Sequence, residues 1–202
     1  MRLSDESKPG RPRRGAQLLE IAWTGVQALV LFLVLSALVG RFEVHQISME
    51  PTFHEGQRVL VSKLDSLWSN LVVGTAHAAD SRHSSPFALQ RGQVVVFYRT
   101  PARDEDALIK RVIGLPGDTL EIRDGQVLVN GAALDEPYIH GIDTSCNATC
   151  GPLTLAADEY PMMGDNRVNS LDSRSFGPIN AGQIVGHVVL RYWPLGDIEF
   201  FP

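Results

Sequence analysis

With 202 residues and a formal net charge of −5, the chain can form one compact domain of ordinary size plus a tail, or two small lobes. It lacks the basic excess that marks a broad nucleic-acid footprint, so no nucleic-acid partner is expected. Its charges are not blocked into long runs, which argues against a disordered acidic tail.

In chain order, the first feature is a tail over residues 1–20 that contains the Arg- and Pro-rich stretch KPGRPRR (Lys8–Arg14). It precedes IAWTGVQALVLFLVLSALVG, an uncharged run from Ile21 to Gly40 bracketed by Glu20 and Arg41. About 20 apolar residues at 1.5 Å rise cover roughly 30 Å, the hydrocarbon thickness of a bilayer. A secretory apolar core is usually only about 7 to 15 residues, so the run reads as an uncleaved anchor over 21–40. The basic flank predicts a cytoplasmic N-terminus and a single pass, with residues 41–202 on the far side of the plasma membrane. The lipid bilayer is then a partner.

ISMEPTF (Ile47–Phe53) follows directly. Ser48 is eight positions beyond Gly40, a reach of only about 26 to 29 Å when fully extended. A serine so placed works near the membrane surface.

Beyond it the pattern is mainly β. RVLVSKL (Arg58–Leu64) alternates after the turn pair Glu55-Gly56, GQVVVFYRT (Gly92–Thr100) is β-branched and aromatic, and ALIKRVIGL (Ala107–Leu115) reads as a buried strand closed by Pro116-Gly117. TLEIRDGQVLVNG (Thr119–Gly131) predicts a hairpin about Asp124-Gly125, within a smaller lobe over 119–160. GHVVLRYWPL (Gly186–Leu195) is a final strand. Short strands at this spacing predict a barrel-like or two-sheet all-β domain built of antiparallel sheets behind one N-terminal transmembrane helix.

Residues 66–91 break the pattern and read as an inserted loop. Within it Ala76-His77-Ala78 has the small-x-small form found before processing cuts. A cut after Ala78 is one reading and an exposed Ala-rich loop is the other. Cys146 and Cys150, the two cysteines, are spaced for a small disulfide loop if the domain lies in an oxidising compartment, and are otherwise free thiols. A zinc site would need more ligands than this pair, with only His140 near it.

A serine hydroxyl needs a base to become a nucleophile. His45 and His54 are close to Ser48 in sequence, and no HExxH motif is present. Of the three lysines, Lys8 precedes the anchor and Lys63 sits beside Asp65. Lys110 lies among Leu108, Ile109, Val112 and Ile113. Burial there lowers its pKa and makes a neutral amine available as a base. The alternative is a lysine whose stem packs on apolar surface while its tip reaches water. GDNRVNSLDSR (Gly164–Arg174) is too polar for core. Its Asp165, Asn166, Arg167, Ser170, Asp172 and Arg174 can form a network that orients a base, or a solvated turn capped by its own side chains.

Three segments in order behind an anchor, SMEPT (Ser48–Thr52), KRVIGLPGD (Lys110–Asp118) and GDNRVNSLDSR, resemble the conserved boxes of type I signal peptidases. The resemblance covers most of the chain from Ile21 onward. It implies a membrane-bound serine endopeptidase, working without a cofactor, that cuts signal peptides from exported preproteins through an acyl-enzyme. By match to the boxes, Ser48 is the nucleophile and Lys110 the general base. Ser170 orients the lysine, Asp172 and Arg174 hold that part of the site, and Asp165 and Arg111 support it. Similar enzymes prefer small residues at the first and third positions before the cut. Some carry a serine two positions before the nucleophile that helps hold the oxyanion. Here that position is Gln46, which leaves the backbone N–H of Ser48 as the expected donor. Readings in other classes are a Ser/Lys peptidase with a narrower substrate, and an anchored β domain that binds a partner without catalysis.

Overall fold

The structure is a computed structural model that describes residues 14–64, 89–146 and 151–201. Most of the tail, most of the 66–91 loop and Cys150 lie outside the described residues, as does the Ala78 position.

Helix α1 spans Arg14–Leu38, and its apolar part, Leu18–Leu38, is 21 residues long. At 1.5 Å per residue that part extends about 31 Å, enough to cross a bilayer. It ends two residues before the sequence boundary. Val39 and Gly40 instead open strand β1 (Val39–Glu43), and the Leu38 carbonyl accepts the Lys63 N–H at 2.9 Å. The last carbonyl of the helix is thus paired. No strand was expected here, because Arg41 and Glu43 interrupt the apolar run and the strand is too short for its alternation to register.

Residues from Leu38 onward form a compact unit of their own. The main sheet contains β1, β2 (Arg58–Ser62), β3 (Val94–Phe97), β4 (Leu108–Val112), β10 (Met162–Met163), β12 (Ile184–Trp193) and β13 (Glu199–Phe200). Its order is β1-β2-β12-β3-β4-β10, with β13 paired to β12. All of its pairings are antiparallel.

A second sheet of four strands joins β5 (Thr119–Arg123), β6 (Gln126–Val129), β7 (Ala132–Ala133) and β8 (Leu153–Thr154). The hairpin expected about Asp124-Gly125 is present, with Arg123 opposite Gln126. Both turn residues have positive φ, 51° and 78°, as a tight two-residue hairpin requires. A small pair, β9 (Glu159–Tyr160) and β11 (Ile179–Asn180), completes the fold. Between β10 and β11 runs a one-turn helix, α2 (Ser173–Phe176).

β3 lies inside the main sheet and is packed on both faces. All four of its residues are buried. Val94 and Val96 join Val44, Met49, Phe53, Val59, Val61 and Val188 on one face. Val95 and Phe97 join Val112, Met162, Ile179 and Ile184 on the other. This is the period-2 alternation of a strand covered on both sides. β4 is its neighbour, so Lys110, opposite Val95, lies one strand from the centre of the core.

Gly125 offers a stability test, because a Cβ there would overlap the Asp143 carboxyl group at a φ unfavourable to L-residues. Gly125→Ala is expected to lower stability by about 1–2 kcal/mol in thermal denaturation.

Candidate active site

Ser48 sits in a short 3-10 turn, Ile47–Met49, and is buried. Met49 and Phe53, both fully buried, root the turn in the core on either side of Pro51. The turn is pinned from the polar segment as well: Asn166 donates its backbone N–H to Ser48 O (3.1 Å) and its Nδ2 to Ile47 O (3.2 Å). Gly164 passes so close beneath that a Cβ would overlap the Ser48 carbonyl oxygen and Ser170 Oγ. Only glycine allows that approach.

Lys110 reaches Ser48 from β4. Its Nζ lies 2.6 Å from Ser48 Oγ and 3.0 Å from Ile109 O. Lys110 is only 1% exposed, so its stem-and-tip reading, with the amine in water, does not hold. Burial pulls the ammonium pKa down from 10.5 to about 8, against the opposing pull of the Asp172 and Asp165 charges. When charged, the amine donates to Ser48 Oγ. When neutral, its lone pair can accept the Ser48 proton. Neither histidine competes for the hydroxyl: His54 Nδ1 faces Glu50 at 3.3 Å on the surface, and His45 lines a cleft next to the turn.

The polar segment supplies the surroundings. Asp165 receives Arg111 through both oxygens, at 2.8 and 2.6 Å, and its Oδ2 also accepts the Thr52 hydroxyl at 2.5 Å. Arg111 further donates to Gly92 O at 2.6 Å. Asp172 is fully buried and accepts Arg174 Nε and Nη2 at 2.8 and 2.9 Å and the Gly164 N–H at 3.0 Å. Burial pushes the Asp172 carboxyl up, but Arg174 and Gly164 outweigh it and hold the pKa below the usual carboxylate range. Arg174 Nη2 also donates to Arg167 O at 2.7 Å. The segment is therefore a buried cage rather than a solvated turn.

Ser170 completes the cluster in a different way. Its Oγ is buried with no hydrogen-bond partner among the described residues. It lies near enough to Asp172 to help hold that carboxylate down, but makes no bond of ordinary geometry to it or to Lys110. Gln46, two positions before Ser48, is exposed and makes no side-chain cap to the turn. The N–H groups at the start of such a turn have no partner within it.

Four further residues carry the cage and were not singled out from the sequence. Thr52 bridges the serine turn to Asp165. Glu136 pairs with Arg167 through both oxygens, with one contact at 3.2 Å, and accepts the Tyr138 hydroxyl at 2.9 Å. The Tyr138 ring lies under the Arg111 guanidinium at 3.9 Å. Thr144 Oγ1 accepts from Arg167. Thr52 lies inside the SMEPT segment. Nothing local marks Glu136 or Tyr138, because their partners are about 30 residues away in the chain.

The Phe42–Gln46 stretch and Asp106–Ile109, with Val59 and Val96 between them, line a cleft. β1 is the edge of its sheet, and Leu108–Lys110 of β4 pair only with β3.

The sequence profile described as signal peptidase, peptidase S26, matches residues 18–193. The chain belongs to this family. It is 33% identical to signal peptidase I of Leptolyngbya laminosa over 93% of this chain and 86% of that one. It is 32% identical to signal peptidase IB of Staphylococcus aureus strain MRSA252 over 91% of this chain and 94% of that one. A crystal structure of a signal peptidase I from Enterococcus faecalis is 32% identical, covering 49% of this chain and 95% of that one, with a TM-score of 0.42. The family and the fold of antiparallel sheets behind an apolar helix agree with the sequence expectation.

Two linkage effects follow, a cost from Lys110 and a gain from Asp172 at neutral pH, and in both stability rises with pH through the titration window. Lys110 has a folded pKa of about 8, below its 10.5 reference. Below pH 8 the amine is charged in both states and its burial cost is fully present; stability then rises with pH from about 8 to 10.5. Lys110→Met is expected to remove that rise and to stabilise the fold at pH 7 by up to about 3 kcal/mol in denaturant titrations. Asp172 has a depressed pKa, so its contribution is present above the usual carboxylate range and lost as pH falls through the folded value. Asp172→Asn leaves Arg174 buried and unpaired, and is expected to cost about 3–5 kcal/mol in the same titrations.

Proposed function

We propose that Ser48 and Lys110 carry out catalysis as a nucleophile and general base. The chain is a serine endopeptidase of the signal peptidase family, and it removes signal peptides. The observation that carries the dyad is the 2.6 Å contact between a buried serine hydroxyl and a buried amine with a pKa of about 8.

In this mechanism neutral Lys110 takes the Ser48 proton as Oγ attacks the scissile carbonyl. The tetrahedral oxyanion is held by the Ser48 N–H, with Gln46 as a candidate second donor. Collapse breaks the peptide C–N bond, and Lys110 passes its proton to the leaving amine. That leaves an acyl-enzyme on Ser48 and a neutral lysine. Lys110 then deprotonates water, whose attack releases the signal peptide as a carboxylate and restores the Ser48 hydroxyl. Asp165 and Arg111, with Asp172 and Arg174, act as positioning groups around the amine. Ser170, whose buried hydroxyl has no hydrogen-bond partner among the described residues, orients Lys110 in this reading.

The unpaired edges of β1 and β4 support a substrate bound as an added strand in the cleft, with alternate side chains pointing into it. The Phe42, Val59, Val96 and Ile109 lining supports small apolar side chains there. The basic flank of the helix supports a cytoplasmic N-terminus and a catalytic domain over 41–202 on the outer surface, where signal peptides emerge. The second sheet supports a smaller lobe over 119–160, and the proposed Cys146–Cys150 link would close a loop within it.

Mass spectrometry of a signal-peptide-bearing precursor incubated with detergent-solubilised protein tests the reading. A single cut after a small-x-small triplet is expected, absent in Ser48→Ala and Lys110→Ala. Full activity in folded Lys110→Ala would rule out the dyad. The rate with wild-type protein should climb about tenfold per pH unit below the Lys110 pKa and level off above about 8. A flat profile between pH 6 and 8 would exclude a lysine base.

A further inference from the structure

The turn bearing Ser48 runs through Thr52 and Phe53 toward β2, and Thr52 is held from two sides. Its hydroxyl donates to Asp165 in the polar cage (2.5 Å). Its carbonyl oxygen accepts Nη1 of Arg191 (2.7 Å), which comes from β12. Arg191 belongs to none of the three segments that carry the family resemblance. Its own seat is built largely by residues 194–201, which lie beyond the family match at residue 193. Nε donates to Asp197 O at 2.8 Å, and Nη2 pairs with Glu199 Oε2 at 2.6 Å.

The same short return contacts the serine turn through Phe201 and the chain just after it through Asp197. Phe201 stacks tilted on Phe53 with ring centroids 4.8 Å apart, and the Arg191 guanidinium lies 5.6 and 5.9 Å from the two rings. Gln57 donates to Asp197 Oδ2 at 3.3 Å, and its Oε1 accepts the His54 N–H at 3.0 Å and Arg191 Nη1 at 3.4 Å. The Phe201 N–H donates to Val189 O at 3.0 Å, which fixes the return against β12.

All three guanidinium nitrogens are thus used: two are anchored in the return and one reaches the catalytic turn. A planar fork can do this, and an ammonium cannot. The polar cage grips the Ser48 turn on one side through Asn166 and Asp165. Arg191 grips it on the other.

We propose that Arg191, seated by residues 194–201, is a positioning residue for the nucleophile. It acts through the Thr52 carbonyl and touches no substrate, and the return segment is thereby part of the catalytic unit. The inference rests on the reading of Ser48 as nucleophile. A dyad needs its groups held to within about 0.5 Å, and a misplacement of about 1 Å can cost on the order of a hundredfold in rate.

The test uses full-length protein in detergent, with steady-state cleavage of a precursor, thermal melts, and hydrogen exchange read by mass spectrometry. Exchange in 47–53 reports on the turn through its Glu50 and Phe53 amides, which are bonded to Ile47 O and Met49 O. Arg191→Met is expected to lower kcat by roughly 10- to 100-fold with KM within about threefold. It should speed exchange in 47–53 and leave the 119–129 hairpin unchanged. Arg191→Lys should recover only part of the loss. Glu199→Gln, which keeps an acceptor for Nη2, should be the milder variant, with faster exchange in 47–53 and a smaller fall in kcat. Ala133→Ser, at an exposed position of β7 outside the return, should match wild type. Wild-type kcat in Arg191→Met, or exchange that quickens equally in the hairpin, would overturn the proposal. If Arg191→Met fails to fold, wild-type exchange over 47–53 in Glu199→Gln overturns it. Exchange is read without turnover, so a wild-type protein that cuts no precursor would sink the peptidase reading and leave the positioning question still decided.

Discussion

The site depends on a buried amine kept near a buried hydroxyl. Lys110 loses its hydration on a strand next to the centre of the sheet, and that loss makes a neutral amine reachable near pH 8. Removing water alone would push the value lower still. The Asp172 and Asp165 carboxylates pull it back up, and each carries its own arginine, so neither is free to form a tight ion pair with the lysine. The amine is left with Ser48 Oγ and one carbonyl as its bonded partners.

This balance explains why so many charges are buried around one lysine. Arg111–Asp165, Arg174–Asp172 and Arg167–Glu136 are ion pairs with little access to water. Pairs of this kind add little net stability over apolar side chains, because desolvation offsets much of the attraction. What they do here is geometric. Two of them join segments distant in sequence: Arg111 ties β4 to the serine turn through Asp165 and Thr52, and Arg167 ties the polar segment to Glu136. Tyr138, under Arg111, brings the same stretch of chain against β4. Asn166 and the absence of a side chain at Gly164 then set the height of the Ser48 backbone. The serine turn, β4 and the polar segment around Ser48 and Lys110 are thus joined by directional contacts as well as by packing.

The sequence by itself determined the membrane-spanning helix, the β class, the hairpin about Asp124-Gly125 and the residues of the three boxes. Those features are written locally, as charge-free length, period-2 alternation, a turn pair that accepts positive φ, and contiguous motifs. It misjudged the helix end by two residues and missed β1, since a five-residue edge strand with charged positions has no clear period. Whether Lys110 was buried or kept its amine in water was open, because burial of one side chain is a property of what packs around it. Only the tertiary structure decided that, by burying Lys110 with its Nζ 2.6 Å from Ser48 Oγ. It also recruited Glu136, Tyr138, Thr144 and Arg191, whose roles come from partners far along the chain. Electrostatic and hydrogen-bonded contacts act through space at a few ångströms, and a linear pattern records only neighbours.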